Sequence, residues 1–568
     1  MADLTPEMLA EMRALALQNA HKYGGKASQG AVMGKVLAAR PELKGRSADI
    51  GKALAAILRK VNALSAEEQL VELQRTAPEL LIEKKKEQKK DLPELEGAVQ
   101  GKVVTRIPPE PSKYTHIGHA YSFLVNYFYA KKYAGRCILK FEDTNPEKCT
   151  QEYVDAMTED ITGYLRIDPD EVMLVSDDIP RMYSLAEALI SKGKAYVCTC
   201  ERERMQDLRH SGEACEHRSF RPEESMALWK RMLAGEFSPG QAVLRLAGDM
   251  SADNQVMRDP VLFRVSDVRH FKHGTAYKVW PLYDFENSVG DSLHGVTHIL
   301  RSSEFGTMRN ELQNRLKSLL GFPKQVIVHY GRVNITGALT KGREIREKIA
   351  SGEMRGWDDP RLVTLKALKR RGILPEAIHE FVYQAGMSLA ETNIDFSVIA
   401  ALNRKLLDPK AIRYFFIAHP VRVRIEGAPQ VSVHLRKHPE FPEMGTRAHT
   451  TGEEFLLEKA DLDSLRQGEL YRLMDCLNFT KKGEHLVFHS LEYDKYRETG
   501  KRIIHLLPAN ERLLDVEVMM PDATTLHGKG EQGMADVKVD EVVQAERFGF
   551  MRLDEKSATR LSFWYSHK

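Results

Sequence analysis

The chain has 568 residues, more than one hydrophobic core can organise, so three to five domains are expected. With 42% apolar and 29% charged residues, the composition argues against disorder and against a membrane protein, and no apolar run approaches the length of a membrane span. A net charge of +3 gives no global field to draw in a polyanion, so any nucleic acid must be held by local patches.

In chain order, residues 1–95 begin with two stretches of helical periodicity, "MLAEMRALALQNAHKY" and "ADIGKALAAILRKVNAL", and read as a small helical domain. The start "MADLTPEMLAEMRAL" carries acids where a secretory signal carries bases. The run "EKKKEQKKDLPELEG" that follows reads as a solvated linker. From about 100 to 344, β-branched runs ("KVVTRI", "RCILKFED", "VTHILRSS", "KQVIVHYG") alternate with helical stretches, the α/β pattern of a parallel sheet. Residues 345–408 read as helical. Residues 409–568 carry recurrent strand runs between turn signals, such as "VRVRI", "QVSVHL", "HLVFHSL" and "RLLDVEVMM", and read as β-barrels. Six cysteines are too few for a disulfide scaffold, so a reducing, cytoplasmic setting is expected.

One junction draws attention. "KVVTRI" is a strand, "PPEPSKY" a turn, and from His116 the apolar positions Ile117, Ala120, Tyr121, Leu124, Tyr127 and Phe128 mark an amphipathic helix ended by Gly135. His116 and His119 therefore sit where a first strand hands over to a first helix, at the ligand crevice of an open parallel sheet. A helix N-terminus offers free N–H groups and a positive dipole end, which suit phosphate, and histidines there add donors. The competing readings from spacing alone are a structural pair without a role and, less well supported, a metal site lacking a third ligand nearby.

A second constellation is Cys198, Cys200, Cys215 and His217, spaced C-x-C-(14 residues)-C-x-H. Thiolates and imidazole in a set of four suit a closed structural Zn²⁺ site; reduced structural cysteines are the alternative. A catalytic thiol is not expected, since nothing nearby implies its activation.

"HIGH" at 116–119 after "RIPPEP", with "LKFEDTNPEK" (139–148), "WPLYDFENSVGDSLHGVTHILRSSEF" (280–305) and "GWDDPRLVTLKALKRRGI" (356–373) in that order, resembles the glutamyl/glutaminyl branch of the class I aminoacyl-tRNA synthetases. The helical start and β-rich end resemble its archaeal glutamyl members. The resemblance implies a multidomain α/β plus all-β protein: a Rossmann-like catalytic domain in two halves (100–180 and 278–344), an acceptor-stem-binding insertion (181–277), a helical stem-contact domain (345–408), and anticodon-binding β-barrels (409–568). It implies ATP, with Mg²⁺, and L-glutamate as substrates and tRNA(Glu) as the acceptor in a cytoplasmic monomer, with tRNA(Gln) as a further acceptor left open. Some glutamyl enzymes carry a metal site similar to the cysteine cluster in the inserted domain.

Site residues follow by resemblance. His116, Gly118 and His119 meet ATP. "GALTKGRE" stands where the second signature motif, KMSKS, should be, so Leu339, Thr340 and Lys341 belong to the ATP site, Lys341 facing the leaving pyrophosphate. Ala338 and Gly342 depart from that motif, and Lys113 stands where the family commonly has glycine. Arg106 and Arg301 are the candidate carboxylate readers, each against the alternative of a structural salt bridge. Glu142 is expected to meet the α-ammonium, and Tyr283 to line the side-chain pocket. A charge at Arg301 rewards a carboxylate over a neutral amide, which favours glutamate over the glutaminyl alternative. Lys366, Lys369 and Arg370 share a helical face in the stem-contact region, where phosphate contact is expected. A catalytically inactive RNA-binding paralogue remains a third reading, against which His116, His119, Glu142 and Lys341 speak.

Overall fold

The computed structural model describes residues 4–22, 25–40, 47–77, 80 and 92–568. Contacts divide the chain into two units, Met1–Asp91 and Leu92–Lys568. Among the described residues the first holds four α-helices, α1 (Pro6–Lys22), α2 (Gln29–Ala39), α3 (Ser47–Val61) and α4 (Ala66–Thr76). Their apolar faces close on Met12, Leu17, Val32, Ile50, Leu54 and Leu73. Ser65 and Glu68 form a reciprocal capping box that starts α4. The charged run predicted as a linker lies, through Asp91, outside the described residues.

The second unit opens with β1 (Val104–Ile107), α5 (Ile117–Lys132), β2 (Arg136–Phe141), α6 (Gln151–Thr158) and β3 (Glu171–Leu174), the three strands pairing in parallel. After α7 (Ile179–Ser191) come β4 (Ala195–Cys198), α8 (Arg202–Ser211), α9 (Pro222–Ala234), β5 (Val243–Leu246), β6 (Val261–Val265) and β7 (Val279–Pro281). These four strands form an antiparallel sheet in sequence order. The chain returns through α10 (Tyr283–Leu293), β8 (His298–Ser302), α11 (Met308–Leu320) and β9 (Val326–Tyr330), with β8 and β9 parallel.

The Thr297 amide donates to the Val104 carbonyl at 3.0 Å, which sets β8 beside β1 and gives the order β9-β8-β1-β2-β3. The β1/β8 seam carries no ladder. The Leu300 carbonyl instead accepts from Asn126 Nδ2 at 3.2 Å and Arg106 Nη1 at 3.4 Å. Strand order reverses at this seam, so the crevice of the doubly wound sheet opens there, at the C-terminal ends of β1 and β8.

Beyond it lie β10 (Val333–Ile335), α12 (Gly342–Ala350), α13 (Leu365–Arg370), α14 (Pro375–Ala385), β11 (Thr392–Ile394) and α15 (Phe396–Leu407). The stretch read as wholly helical thus contains one strand. Its Thr-Asn-Ile residues pair in parallel with β10, and Asn334 Nδ2 bonds Glu391 and Asn393 across the pair.

The C-terminal residues form two seven-stranded sheets around separate apolar clusters. In one, the end strands Arg413–Tyr414 and Phe416–Ala418 are successive pieces of one extended segment; in the other the same holds for Arg502–Ile504 and Leu507–Pro508. Each sheet therefore closes on itself, removing its edges, as the barrel reading requires. Among the described residues no helix is long and apolar enough to cross a membrane.

Candidate active site

The histidine pair answers a capping problem first. His116 is the N-cap of α5, and its Nδ1 accepts the Gly118 amide at 3.1 Å, while His119 Nδ1 accepts the His116 amide at 3.1 Å. The rings take the roles of Ser and Glu in a capping box. Burial, with Lys113 and Arg332 adding to it, drives the His116 pKa down to about 3; burial, then His116 itself, holds His119 well below its ordinary value. Both rings are neutral at pH 7. Because each Nδ1 receives a proton from the backbone, the ring proton of each sits on Nε2. The helix start thus carries two Nε2–H donors without a charged side chain of its own, while its backbone amides are already engaged: His116 and Gly118 by the two rings, Ile117 by the Val363 carbonyl at 3.1 Å, and His119 and Ala120 by the His116 carbonyl at 2.9 and 3.1 Å. Gly118 keeps it open: a Cβ there would stand 3.0 Å from the His116 ring and 3.3 Å from the Val333 carbonyl.

The loop after β10 lies against the same turn. Arg346 Nη1 donates to the Ser112 carbonyl at 3.1 Å. A Cβ on Gly342 would meet Lys113 Cδ at 3.0 Å and Lys113 Cβ at 3.3 Å. The two departures noted in the signature motifs are therefore one packing adjustment, the lysine stem filling space that a residue-342 side chain would take. Leu339 packs on Ile345, Met354 and Leu362; Thr340 is half-buried; Lys341 caps α12 with its own side chain exposed and making no capping bond.

In the crevice, charges are packed to an unusual degree. Arg106, 1% exposed, puts Nε on Asp291 Oδ2 at 3.0 Å, and Lys140 Nζ reaches Asp291 Oδ1 at 2.7 Å. Burial alone would raise the Asp291 carboxyl, but Lys140 and Arg106 hold it at about 2. Arg106 thus makes the buried ion pair that was the alternative to substrate binding. Glu142, directly after β2, accepts from Asn287 Nδ2 at 2.9 Å and lies 3.5 Å from Lys140 Nζ. Burial raises its pKa against the pull of Lys140 and Arg106, and Glu286, deeper still, is pushed well up by burial and by Glu142.

Arg301 on β8 is 3% exposed and held from α11: Nη1 donates to Gln313 Oε1 at 2.9 Å and Nη2 to Asn310 Oδ1. Gln313 is itself fixed by Asp284 at 3.2 Å. Tyr283, the first residue of α10, interacts with Arg301 through its hydroxyl and carries the Arg309 guanidinium over its ring at 5.4 Å. No carboxylate pairs directly with Arg301 among the described residues, in contrast to Arg106. The structure brings Arg106, Glu142, Tyr283 and Arg301 together around one crevice. Sequence reading missed Lys140, Asn287 and Asp291. A lysine inside the apolar strand "RCILKF" and an acid in "SVGDSL" were the available signals.

The cysteine cluster also assembles. Cys198 ends β4; Cys215 and His217 come from the turn after α8. All four ligand atoms lie within 4.8 Å of one another, with Cys198 Sγ to Cys215 Sγ 3.8 Å and Cys200 Sγ to His217 Nδ1 3.4 Å. Tetrahedral Zn²⁺ with Zn–S of about 2.3 Å needs S···S near 3.8 Å. Arg245 Nη1 approaches Cys198 and Cys215 at 3.9 and 3.7 Å, and Thr199 Oγ1 holds His217 Nε2 at 2.8 Å, supports that orient ligands and balance thiolate charge. All six cysteines are unpaired.

On α13, Lys366 lies over the Tyr114 ring at 5.2 Å and Lys369 pairs with Glu159 at 2.8 Å, both exposed. Arg370, expected with them to contact phosphate, is engaged within the protein. Its Nε and Nη2 grip Asp554 at 3.0 and 2.6 Å, Nη1 takes Asp358 at 2.6 Å, and the guanidinium lies over Trp564 at 4.2 Å. It joins the helical segment to a barrel, because its partner arrives from 184 positions away.

A doubly wound sheet with a histidine-capped first strand–helix junction, an inserted antiparallel sheet and terminal barrels fits a tRNA synthetase of class I. The catalytic-domain model of the class I tRNA synthetases for E and Q matches residues 102–409, and that family's anti-codon binding domain matches residues 411–489. The chain belongs to this family. It is 41% identical to the glutamate–tRNA ligase of Pyrococcus abyssi over 568 residues, covering 97% of this chain and 98% of that one. The glutamate–tRNA ligases of Pyrococcus furiosus and Methanothermobacter thermautotrophicus are each 40% identical, with the same coverage.

Proposed function

We propose that this chain is a glutamate–tRNA ligase. The observation that carries the reading beyond family membership is Arg301: a buried guanidinium on the crevice side of β8, oriented by two neutral amides and without a carboxylate of its own. A substrate carboxylate supplies that partner; the neutral amide of glutamine does not. A mismatch in so enclosed a site costs about 3–5 kcal/mol, enough to set specificity.

In the first step an α-carboxylate oxygen of glutamate attacks the α-phosphorus of ATP, forming the mixed anhydride and expelling pyrophosphate. Charge grows on phosphate oxygens, so preset donors matter more than a covalent catalyst. The Nε2–H groups of His116 and His119 supply them, with Gly118 giving access and Leu339 and Thr340 shaping the loop. Lys341 follows the leaving pyrophosphate. Glu142, steadied by Asn287, receives the substrate ammonium; Tyr283 lines the pocket, and Arg106 contributes through the field of its pair with Asp291. In the second step the terminal adenosine hydroxyl of tRNA attacks the carbonyl and AMP leaves. Mg²⁺ bound with ATP supplies further charge neutralisation.

The donor set, spacing and supports of Cys198, Cys200, Cys215 and His217 favour a structural Zn²⁺. Residues 181–277 would then carry the acceptor end, Lys366 and Lys369 the stem, and 409–568 the anticodon, in a cytoplasmic monomer. The deciding experiment charges purified tRNA(Glu) and tRNA(Gln) with glutamate and with glutamine. Glutamyl-tRNA(Glu) is expected; glutamine as the preferred substrate, or no charging at all, would overturn the reading. Glutamyl-tRNA(Gln) as a second product would mark a non-discriminating enzyme.

A further inference from the structure

Lys317 stands out among the groups the mechanism does not use. It lies on α11, 2% exposed, and its ammonium has no hydrogen-bond partner. A buried, unsatisfied ammonium is costly and calls for an explanation. Its position provides one. Asn310, Gln313 and Lys317 recur at intervals of three and four on α11, so they share one helix face. The first two hold Arg301. Lys317 continues that face one turn further on. The charged groups it feels are Asp291 on α10, Arg301 on β8, Arg106 on β1 and Lys140 on β2. Asp291 is already bonded to Arg106 and Lys140, so it leaves Lys317 without a partner. Other buried polar atoms of the same crevice also lack partners: the donor Arg301 Nε and the acceptors Asn287 Oδ1 and Glu286 Oε1. Four cations thus surround acids of which Glu286 is driven towards its neutral form by burial. The crevice has an excess of positive charge and two unpartnered donors, Lys317 Nζ and Arg301 Nε, the complement of a substrate with two carboxylates.

Resting on the glutamate–tRNA ligase reading, we infer that Lys317 is a specificity-determining residue for glutamate, its ammonium supplying with Arg301 the positive charge that balances a substrate carboxylate. Burial, which outweighs the pull of Asp291, lowers the Lys317 pKa to about 8 in the empty site. A bound carboxylate raises it again, so above that pH glutamate binding takes up a proton. A merely structural lysine would not respond to the substrate in this way.

The test follows the KM for glutamate from pH 6.5 to 8.5 in aminoacylation by the full chain, with tRNA(Glu) and ATP saturating. A group at about 8 is mostly protonated at pH 7 and about one-quarter protonated at pH 8.5, so the wild-type KM should rise about four-fold between them while the KM for ATP does not. Lys317→Met should raise the glutamate KM at pH 7 by on the order of ten-fold or more, leave glutamine use little changed, and flatten the pH profile. Lys317→Arg should restore a low KM and shift its rise above pH 8.5. A folded Lys317→Met enzyme with the wild-type KM or the wild-type profile would overturn the inference. Should that variant not fold, calorimetry of wild type with glutamate decides, in buffers of different ionisation enthalpy: proton uptake at pH 8.5 that vanishes at pH 6.5 supports it, and none at either pH overturns it. Failure of the wild-type chain to charge tRNA(Glu) would instead sink the functional reading on which it rests.

Discussion

At the scale of single residues, the site separates groups that neutralise each other from charged groups held by neutral partners. Arg106 and Arg301 look alike in sequence, each near the end of a parallel strand. One is paired with a carboxylate and the other is braced by amides. Arg301→Cys should therefore lower kcat/KM for glutamate by on the order of 10²-fold or more, given about 3 kcal/mol for a desolvated charge pair. Glutamine use should fall much less. The comparison keeps the same tRNA throughout, and an equal loss for both amino acids would show that Arg301 is structural or reads the carboxylate common to both. The histidine pair makes a different prediction. His116→Ala and Lys341→Ala should depress kcat, read as pyrophosphate exchange with tRNA present, far more than they raise the KM for glutamate, because their contacts develop in the transition state. His116→Ala also removes the α5 cap, worth about 1 kcal/mol, so its melting temperature should fall by about 1–2 °C, the small shift expected of a large unit. Normal turnover in both variants would remove the nucleotide-site assignment.

At the scale of elements, the short turn Cys215–Ser219 has little apolar burial of its own and is tied to the end of β4 by the thiol and imidazole groups. A metal bound there would replace the core that this segment lacks. Elemental analysis of purified protein should find about one zinc per chain, and Cys215→Ser should lose it and impair charging of tRNA. Fully active, zinc-free protein would return these residues to the reduced structural cysteines that were the alternative. The parallel pair β10–β11 shows an element that spacing concealed. Three residues cannot display a period of two, so only the partner strand defines them.

At the scale of the whole molecule, the segment of α13 and the C-terminal barrel are joined through Arg370, Asp554 and Trp564, with Arg371 donating to the Ser566 carbonyl at 2.9 Å. This contact sets the position of that barrel against the helical segment. Arg370→Ala leaves Asp554 without its main partner and should cost about 1–3 kcal/mol of stability. Charging of tRNA should suffer more than glutamate activation. A variant that loses tRNA affinity with an unchanged melting temperature would make Arg370 an RNA contact after all.

The periodicities of α5 and of the barrel strands, the strand–turn–helix junction at His116, and the ordered motifs that mark the family were all legible along the chain, because each expresses local geometry in local sequence. The residues that a motif names could be placed at the crevice for the same reason. Their partners could not. Asp291 lies 185 positions from Arg106, Asp554 lies 184 from Arg370, and Lys113 meets Gly342 across two loops. A charge inside an apolar run announces that a partner exists, since burying it alone is prohibitive, but carries no mark of which residue that is. The closing of each barrel by one broken strand is equally invisible until both edges are in place. Chemistry and element type were thus set by sequence, while folding decided which arginine is paired with a carboxylate and which is braced by amides.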